Sequence, residues 1–357
     1  MVWSATASET TFSSNRGSDQ LHPSRLRSCG ASTPAALLSA GGEAQHPTVD
    51  VLALAAAVAY PGSAPQQPLA SIGDPFKHVD WTGLPSLSKL ERARGTQLAY
   101  RSYPTPGSVA VIGVHGSSGN SQSMHSLGVA LQRAGISFYA LDVRGHGASA
   151  PKGTIGYRGQ LDDDVEALAT AVRRERPNAR LGLLGFSSGG GYALHVAGDR
   201  RGKAFDFYVL LSPFIGVVEG VYRPAAGWAS ANVPRIIGLS MLTGAGITAF
   251  NELRAISFAI DPKQANNLTG AYSFALFREF GTSDYAKDLS NITKPAAVLI
   301  GSNDELFHAA ALSKAVQSVR PDIPVEVIPN LSHIQMTTDP VGQAATVRAV
   351  ARLGNLR

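Results

Sequence analysis

From residue 97 onward, apolar residues fall into short runs separated by polar, Gly-rich or Pro-rich stretches. Gln97–Tyr103 alternates apolar and polar positions, the period of a strand with one covered face. Val109–Val114 is almost continuously apolar, and similar runs recur at 136–141, 181–184, 207–211, 296–300 and 325–328. Runs of this kind predict strands covered on both faces. Between several of them the spacing becomes helical. Leu161, Val165, Leu168, Ala169 and Val172 share one face of a helix, and Asp162, Asp163 and Asp164 fall in its opening turn, where the helix dipole favours anions. Strands alternating with helices predict an α/β protein: a mostly parallel sheet flanked by helices. The alternation stops between Phe214 and Tyr285. That stretch holds an apolar, Gly-punctuated part (236–250) and a more polar helical part, with no clear strand, so it predicts a helical insertion.

The N-terminal 64 residues of the 357 differ from the rest. Residues 1–64 are expected to form a disordered N-terminal segment with a signal-like apolar run at 51–59, and 1–48 in particular are rich in Ser, Ala, Gly and Thr without periodicity. The apolar run 51–59 is far shorter than the roughly 20 residues a membrane span requires, so no stable span is expected. It has the look of a signal-peptide core ending in Ala57-Val58-Ala59, yet no Lys or Arg immediately precedes it. A cleavable export segment and an Ala-rich linker or short helix both fit, which leaves cytoplasmic and exported locations open. The α/β core is expected over 76–213 and 286–357, with 214–285 as the insertion.

Charge changes this picture little. The net charge is +5, but the densest basic cluster, Arg173-Arg174-Glu175-Arg176, closes a predicted helix, where cations suit the dipole. A nucleic-acid partner is not expected. The single cysteine, Cys29, excludes an internal disulfide or a Cys-paired zinc site.

Gly185-Phe186-Ser187-Ser188-Gly189 follows one predicted strand directly and precedes a predicted helix. A serine on such a turn projects its hydroxyl out of the sheet, and the glycines two residues either side, Gly185 and Gly189, leave room for the neighbouring backbone. An alkyl hydroxyl is a weak nucleophile near neutrality, so a base must take its proton and an acid must orient the base. Asp304, just beyond the run 296–300, and His333, just beyond 325–328, stand in the required chain order after Ser187. Glu305 is the rival acid and His308 the rival base; Asp339 follows His333, in the wrong order. The two oxyanion donors expected are the backbone amides of Ser188, next to the nucleophile, and Ser117, in the loop His115-Gly116-Ser117-Ser118-Gly119-Asn120 after Val109–Val114. His115 is expected to hold that loop by hydrogen bonds. In a second loop, Asp142 to Ser149, Arg144 and Asp142 are expected to tie the turn to its neighbours, with His146 in a supporting role.

Taken together, His115-Gly116-Ser117, the Asp142–Ser149 loop, the Ser187 turn, Asp304 and His333 resemble the α/β-hydrolase superfamily. The nearest likeness is to the branch of monoacylglycerol lipases, lysophospholipases and serine aminopeptidases, over roughly residues 76–355. The resemblance implies an eight-stranded, mostly parallel sheet with a helical cap at 214–285. It also implies acylation of Ser187 followed by hydrolysis by water activated by His333, without metal or organic cofactor. The expected substrate is a small-molecule acyl ester, with 236–250 either lining an acyl pocket or packing the cap onto the core. A serine aminopeptidase, which needs an acid such as Glu219, Glu252 or Asp261 for the substrate ammonium, an acyltransferase, and a non-catalytic binding protein are the alternatives.

Overall fold

The computed structural model describes residues 50–65, 67–92, 96–223, 228–261, 263 and 267–355. Of the segment expected to be disordered, 1–64, residues 1–49 and any reading of them lie outside the described residues, whereas Val51–Ala59 within it is helical. Strands and helices are numbered along the chain. Eight strands form the main sheet: β1 (Ser88–Glu91), β2 (Gln97–Tyr103), β3 (Val109–Val114), β4 (Ser137–Leu141), β5 (Arg180–Phe186), β6 (Phe207–Leu211), β10 (Ala296–Gly301) and β11 (Val325–Ile328). Their order across the sheet is β1-β2-β4-β3-β5-β6-β10-β11. β2 runs antiparallel to β1 and β4, and every other pairing is parallel.

The continuous apolar runs explain the burial. Successive side chains of a strand point to opposite faces, so Ala110, Ile112 and Val114 of β3 join one core cluster while Val109 and Val111 join the other. Helices cover both faces: α3 (His125–Arg133), α4 (Gln160–Glu175), α5 (Ser188–Gly198), α8 (Tyr285–Asn291) and α9 (Ala309–Val319) lie between strands, and α10 (Gln335–Thr338) and α11 (Pro340–Leu353) follow the last one. Leu161, Val165, Leu168, Ala169 and Val172 of α4 are all buried, as their spacing requires. Asp164 departs from its reading as a dipole-complementing acid. It is buried, and its carboxylate pairs with Arg92 at 2.9 Å and with Arg144 at 2.9 Å.

The insertion departs from a purely helical reading. It contains helices α6 (Val233–Gly244) and α7 (Phe274–Glu279), but also a separate antiparallel sheet of β7 (Ala229–Ala231), β8 (Arg254–Phe258) and β9 (Ala271–Ser273). Strands of three to five residues are too short to display a period of two against a Gly- and Ser-rich background.

Two short helices precede the sheet, α1 (Val51–Ala59) and α2 (Ala70–Gly73). The signal-like run is α1, capped by Asp50, whose carboxylate accepts the Leu52 amide at 2.9 Å. It packs against α6. Gly238 permits the approach, since a Cβ there would lie 2.9 Å from Val58 Cγ2. Arg235 of α6 fastens the junction by donating to the carbonyls of Val58 (2.8 Å) and Tyr60 (2.6 Å). Among the described residues, no helix is long and apolar enough to cross a membrane.

Candidate active site

The parallel strands β5, β10 and β11 deliver Ser187, Asp304 and His333 to loops at one edge of the sheet, because each residue follows the C-terminal end of its strand. Ser187 sits between β5 and α5 with φ 56° and ψ −120°, a strained conformation for a residue with a side chain. Neighbouring backbone holds it there. Its amide donates to Leu211 O (2.9 Å), and its carbonyl accepts from Phe214 N (2.9 Å) and Gly191 N (3.0 Å). The flanking glycines are required by close approach. A Cβ on Gly185 would lie 2.0 Å from the Gly189 carbonyl oxygen, and one on Gly189 would lie 2.3 Å from that of His115.

Asp304 and His333 are joined directly: His333 Nδ1 lies 2.7 Å from Asp304 Oδ2, and both side chains are buried. The other carboxylate oxygen, Oδ1, accepts the amides of Leu306 and Phe307, each at 2.9 Å. Burial is the largest influence on this carboxyl and favours its neutral form. The His333 imidazole, the nearby Ser212 hydroxyl and the Phe307 amide together outweigh it and hold the carboxyl below its ordinary value. With Nδ1–H directed at Asp304, Nε2 carries the lone pair a general base needs. The imidazole packs against Phe186, the residue before Ser187, at 4.8 Å between ring centroids, and against Phe307 at 5.2 Å. Among the described residues the Ser187 hydroxyl makes no hydrogen bond, and hydrogen bonds of this kind commonly tighten only when substrate is present.

The rival residues have other partners. Glu305 accepts the backbone amide of His333 at 2.9 Å, a buttress for the loop that only the tertiary structure reveals. His308 is exposed at the start of α9, and Asp339 caps α11 by accepting the Val341 amide.

The loop after β3 lies against the elbow. A Cβ on Gly116 would be 3.1 Å from Ser187 Cβ. The hydroxyls of Ser117 and Ser188 contact one another, and the amides of these two residues have no acceptor among the described residues. Ser188 opens α5, where the first amides of a helix lack intrahelical partners and the dipole is positive. His115 Nδ1 bonds the Gly116 carbonyl (2.8 Å) and Nε2 accepts the Val143 amide (3.2 Å), linking this loop to the one after β4. There Asp142 accepts the amides of Ser121 (2.7 Å) and Ala148 (2.8 Å), while Arg144 donates to Asp164, Gln97 O and Ala150 O. His146 is fully buried, 2.8 Å from the hydroxyl of Tyr272. Burial, and for His146 the adjacent His115, push both imidazoles below their ordinary pKa, which keeps them neutral. No signal in the sequence marked Tyr272, which comes from the insertion.

The sequence run 236–250 has mixed surroundings. Leu239 is buried, whereas Ile237, Met241, Ile247 and Phe250 are exposed. Ile236 borders a cavity of about 400 Å3 together with Ser240, Thr243, Phe274, Phe277 and Arg278. No residue lining that cavity belongs to the loops carrying Ser187, Asp304 or His333.

The fold recurs in solved structures of low sequence identity. A monoglyceride lipase from Saccharomyces cerevisiae, bound to a substrate analogue, is 18% identical with a TM-score of 0.61, over 76% of this chain and 96% of that one. A monoacylglycerol lipase from Paleococcus ferrophilus is 19% identical with a TM-score of 0.52, over 72% and 98%. An N-formylmaleamic acid deformylase from Pseudomonas putida is 18% identical with a TM-score of 0.51, over 74% and 100%. The sequence model of the family described as serine aminopeptidase, S33, matches residues 106–340, more than half of the chain. With that match on the same strands and loops, the chain belongs to the serine aminopeptidase S33 family and is a serine hydrolase of the α/β-hydrolase fold.

Proposed function

We propose that the protein hydrolyses small-molecule carboxylic esters by way of an acyl-enzyme on Ser187. The observation that carries this reading is the buried His333–Asp304 pair at 2.7 Å, set beside a strained Ser187 elbow. In the proposed cycle, His333 Nε2 takes the Ser187 proton as the hydroxyl attacks the ester carbonyl. The amides of Ser117 and Ser188 receive the charge that develops on the carbonyl oxygen. Protonated His333, steadied by Asp304, then gives its proton to the departing alcohol. Water enters, and the same imidazole activates it to release the acid. Each step uses only side chains and amides of this chain.

The lipases of similar fold support an ester substrate, and so do the surroundings of the three acids considered as an anchor for an ammonium group. Glu219, Glu252 and Asp261 are all exposed, and Glu252 is engaged by the Thr154 hydroxyl. The test is a panel of p-nitrophenyl esters of graded chain length beside aminoacyl-nitroanilides, with fluorophosphonate labelling of wild type and Ser187→Ala. Ester turnover above nitroanilide turnover, and labelling lost in Ser187→Ala, are expected. Unchanged ester hydrolysis by Ser187→Ala would overturn the site, and turnover confined to the nitroanilides would overturn the substrate class.

A further inference from the structure

Ser118, one residue beyond the proposed donor Ser117, is a non-glycine residue held at φ 65°. Such a conformation persists where surroundings impose it. Every polar group of Ser118 is engaged by one short segment of the insertion. Its amide donates to the Tyr272 hydroxyl (2.6 Å), its side chain donates to Thr269 O (2.8 Å), and its carbonyl accepts the Thr269 amide (2.9 Å). The Thr269 hydroxyl reaches on to Gly145 O at 3.2 Å, in the loop after β4.

The Arg144 carbonyl, 3.2 Å from His146 Nδ1, can only accept, so the neutral imidazole carries its proton on Nδ1. Nε2 is then an acceptor, and the Tyr272 hydroxyl, which accepts from Ser118 N–H, donates to it at 2.8 Å. Donors and acceptors alternate without conflict from Ser118 N–H through Tyr272 and His146 to the Arg144 carbonyl. The ring of Tyr272 is buried against His146, Phe258 and Phe280, with centroids 5.0, 4.9 and 6.3 Å away. Burial also raises the phenol well above its ordinary pKa, so it keeps the proton it donates.

We propose that Tyr272 is a positioning residue for the oxyanion hole, tying the 269–272 segment of the insertion to the Ser117-Ser118 loop so that transition-state stabilisation depends on how that segment is seated. The proposal rests on the reading of Ser187 as nucleophile and of Ser117 as an oxyanion donor. It makes the insertion a contributor to the chemical step as well as a cover, because a shift of the 269–272 segment moves the amide that receives the developing charge. Oxyanion donors act through placement fixed in advance, so small displacements carry large kinetic effects.

Tyr272→Phe removes the hydroxyl and keeps the ring. In the p-nitrophenyl ester assay it is expected to lower kcat by about ten- to a hundred-fold with KM little changed. Affinity for a boronic acid, which forms a tetrahedral adduct on the serine, is expected to fall in parallel, a readout that a purely structural role would leave unmoved. Should Tyr272→Phe fail to accumulate as folded protein, Ser118→Ala, which deletes only the side-chain contact to Thr269, is expected to shift kcat and boronate affinity the same way. A folded Tyr272→Phe with wild-type kcat and boronate affinity would overturn the proposal, provided Ser187→Ala is inactive. Activity persisting in Ser187→Ala would instead overturn the reading on which it rests.

Discussion

In the proposed site Asp304 orients the base, and its surroundings suit that role. Oδ2 faces His333, and Oδ1 is fully occupied by two backbone amides, so the group has no freedom to swing to another partner. Asp304→Asn preserves size but sets an amide NH2 where Nδ1–H points, which favours the wrong imidazole tautomer. A drop in kcat on the order of 10^4-fold, with little loss of thermal stability, is the expected result in the ester assay. The local pattern made Asp304 and His333 legible: each follows an apolar run, and the chain order does the rest. Local pattern also misled. Asp164 reads as the third acid of a helix's first turn, yet it is a buried partner of two arginines, 72 and 20 residues away in sequence. The Tyr272 contact, 154 residues from Ser118 along the chain, was invisible for the same reason.

Among the elements, the central strands were the most legible because burial on both faces leaves an unbroken apolar run, and a short run of that kind bounded by turn residues suits a buried strand better than any surface element. The small β7–β9 sheet was the least legible, since its strands are too short for their alternation to register. Helix α1 lies between these extremes: its helicity was one of two readings of the run 51–59, but its docking on α6 depends on Gly238 and Arg235, which lie far along the chain. Arg235 donates to carbonyls on both sides of the junction, those of Val58 and Tyr60 and that of Arg254. Arg235→Ala is therefore expected to speed amide exchange and proteolytic cutting across residues 51–63 with little change in ester turnover. Exchange mass spectrometry of wild type and variant checks this, and equal protection of 51–63 in both would show that packing alone holds the helix.

Across the whole molecule, Asp164 ties three parts together: α4 itself, Arg92 beyond β1, and Arg144 in the loop after β4. The Arg144 side chain is fully buried, so Asp164→Ala leaves a guanidinium without its counter-charge in the interior. A loss of about 3–5 kcal/mol in unfolding free energy is expected from denaturant titration. A second charged junction joins α5 to α4 and α8 through His195, with Asp162 at 3.8 Å and Asp288 at 3.6 Å. The carboxylates of Asp162, first, and Asp288 stabilise the protonated ring and raise the imidazole to about 10 in the folded protein. Its stabilising contribution is therefore complete below the unfolded-state value of about 6.5 and is lost progressively as pH rises towards about 10. The gap in melting temperature between wild type and His195→Gln is expected to be widest at mildly acidic pH and to close in alkali; a gap independent of pH would assign the effect to packing.

The parallel pairing of β6 with β10 has one more consequence. Ala296 lies opposite Tyr208, so the chain that departs after Leu211 returns to the strand next door. Everything between is a detour with a common doorway. A longer, shorter or differently folded detour can be grafted at that doorway without altering the hydrogen-bond ladder of the parent sheet. The segment between β6 and β10 can therefore change in length or fold while the strands that carry Ser187, Asp304 and His333 keep their places.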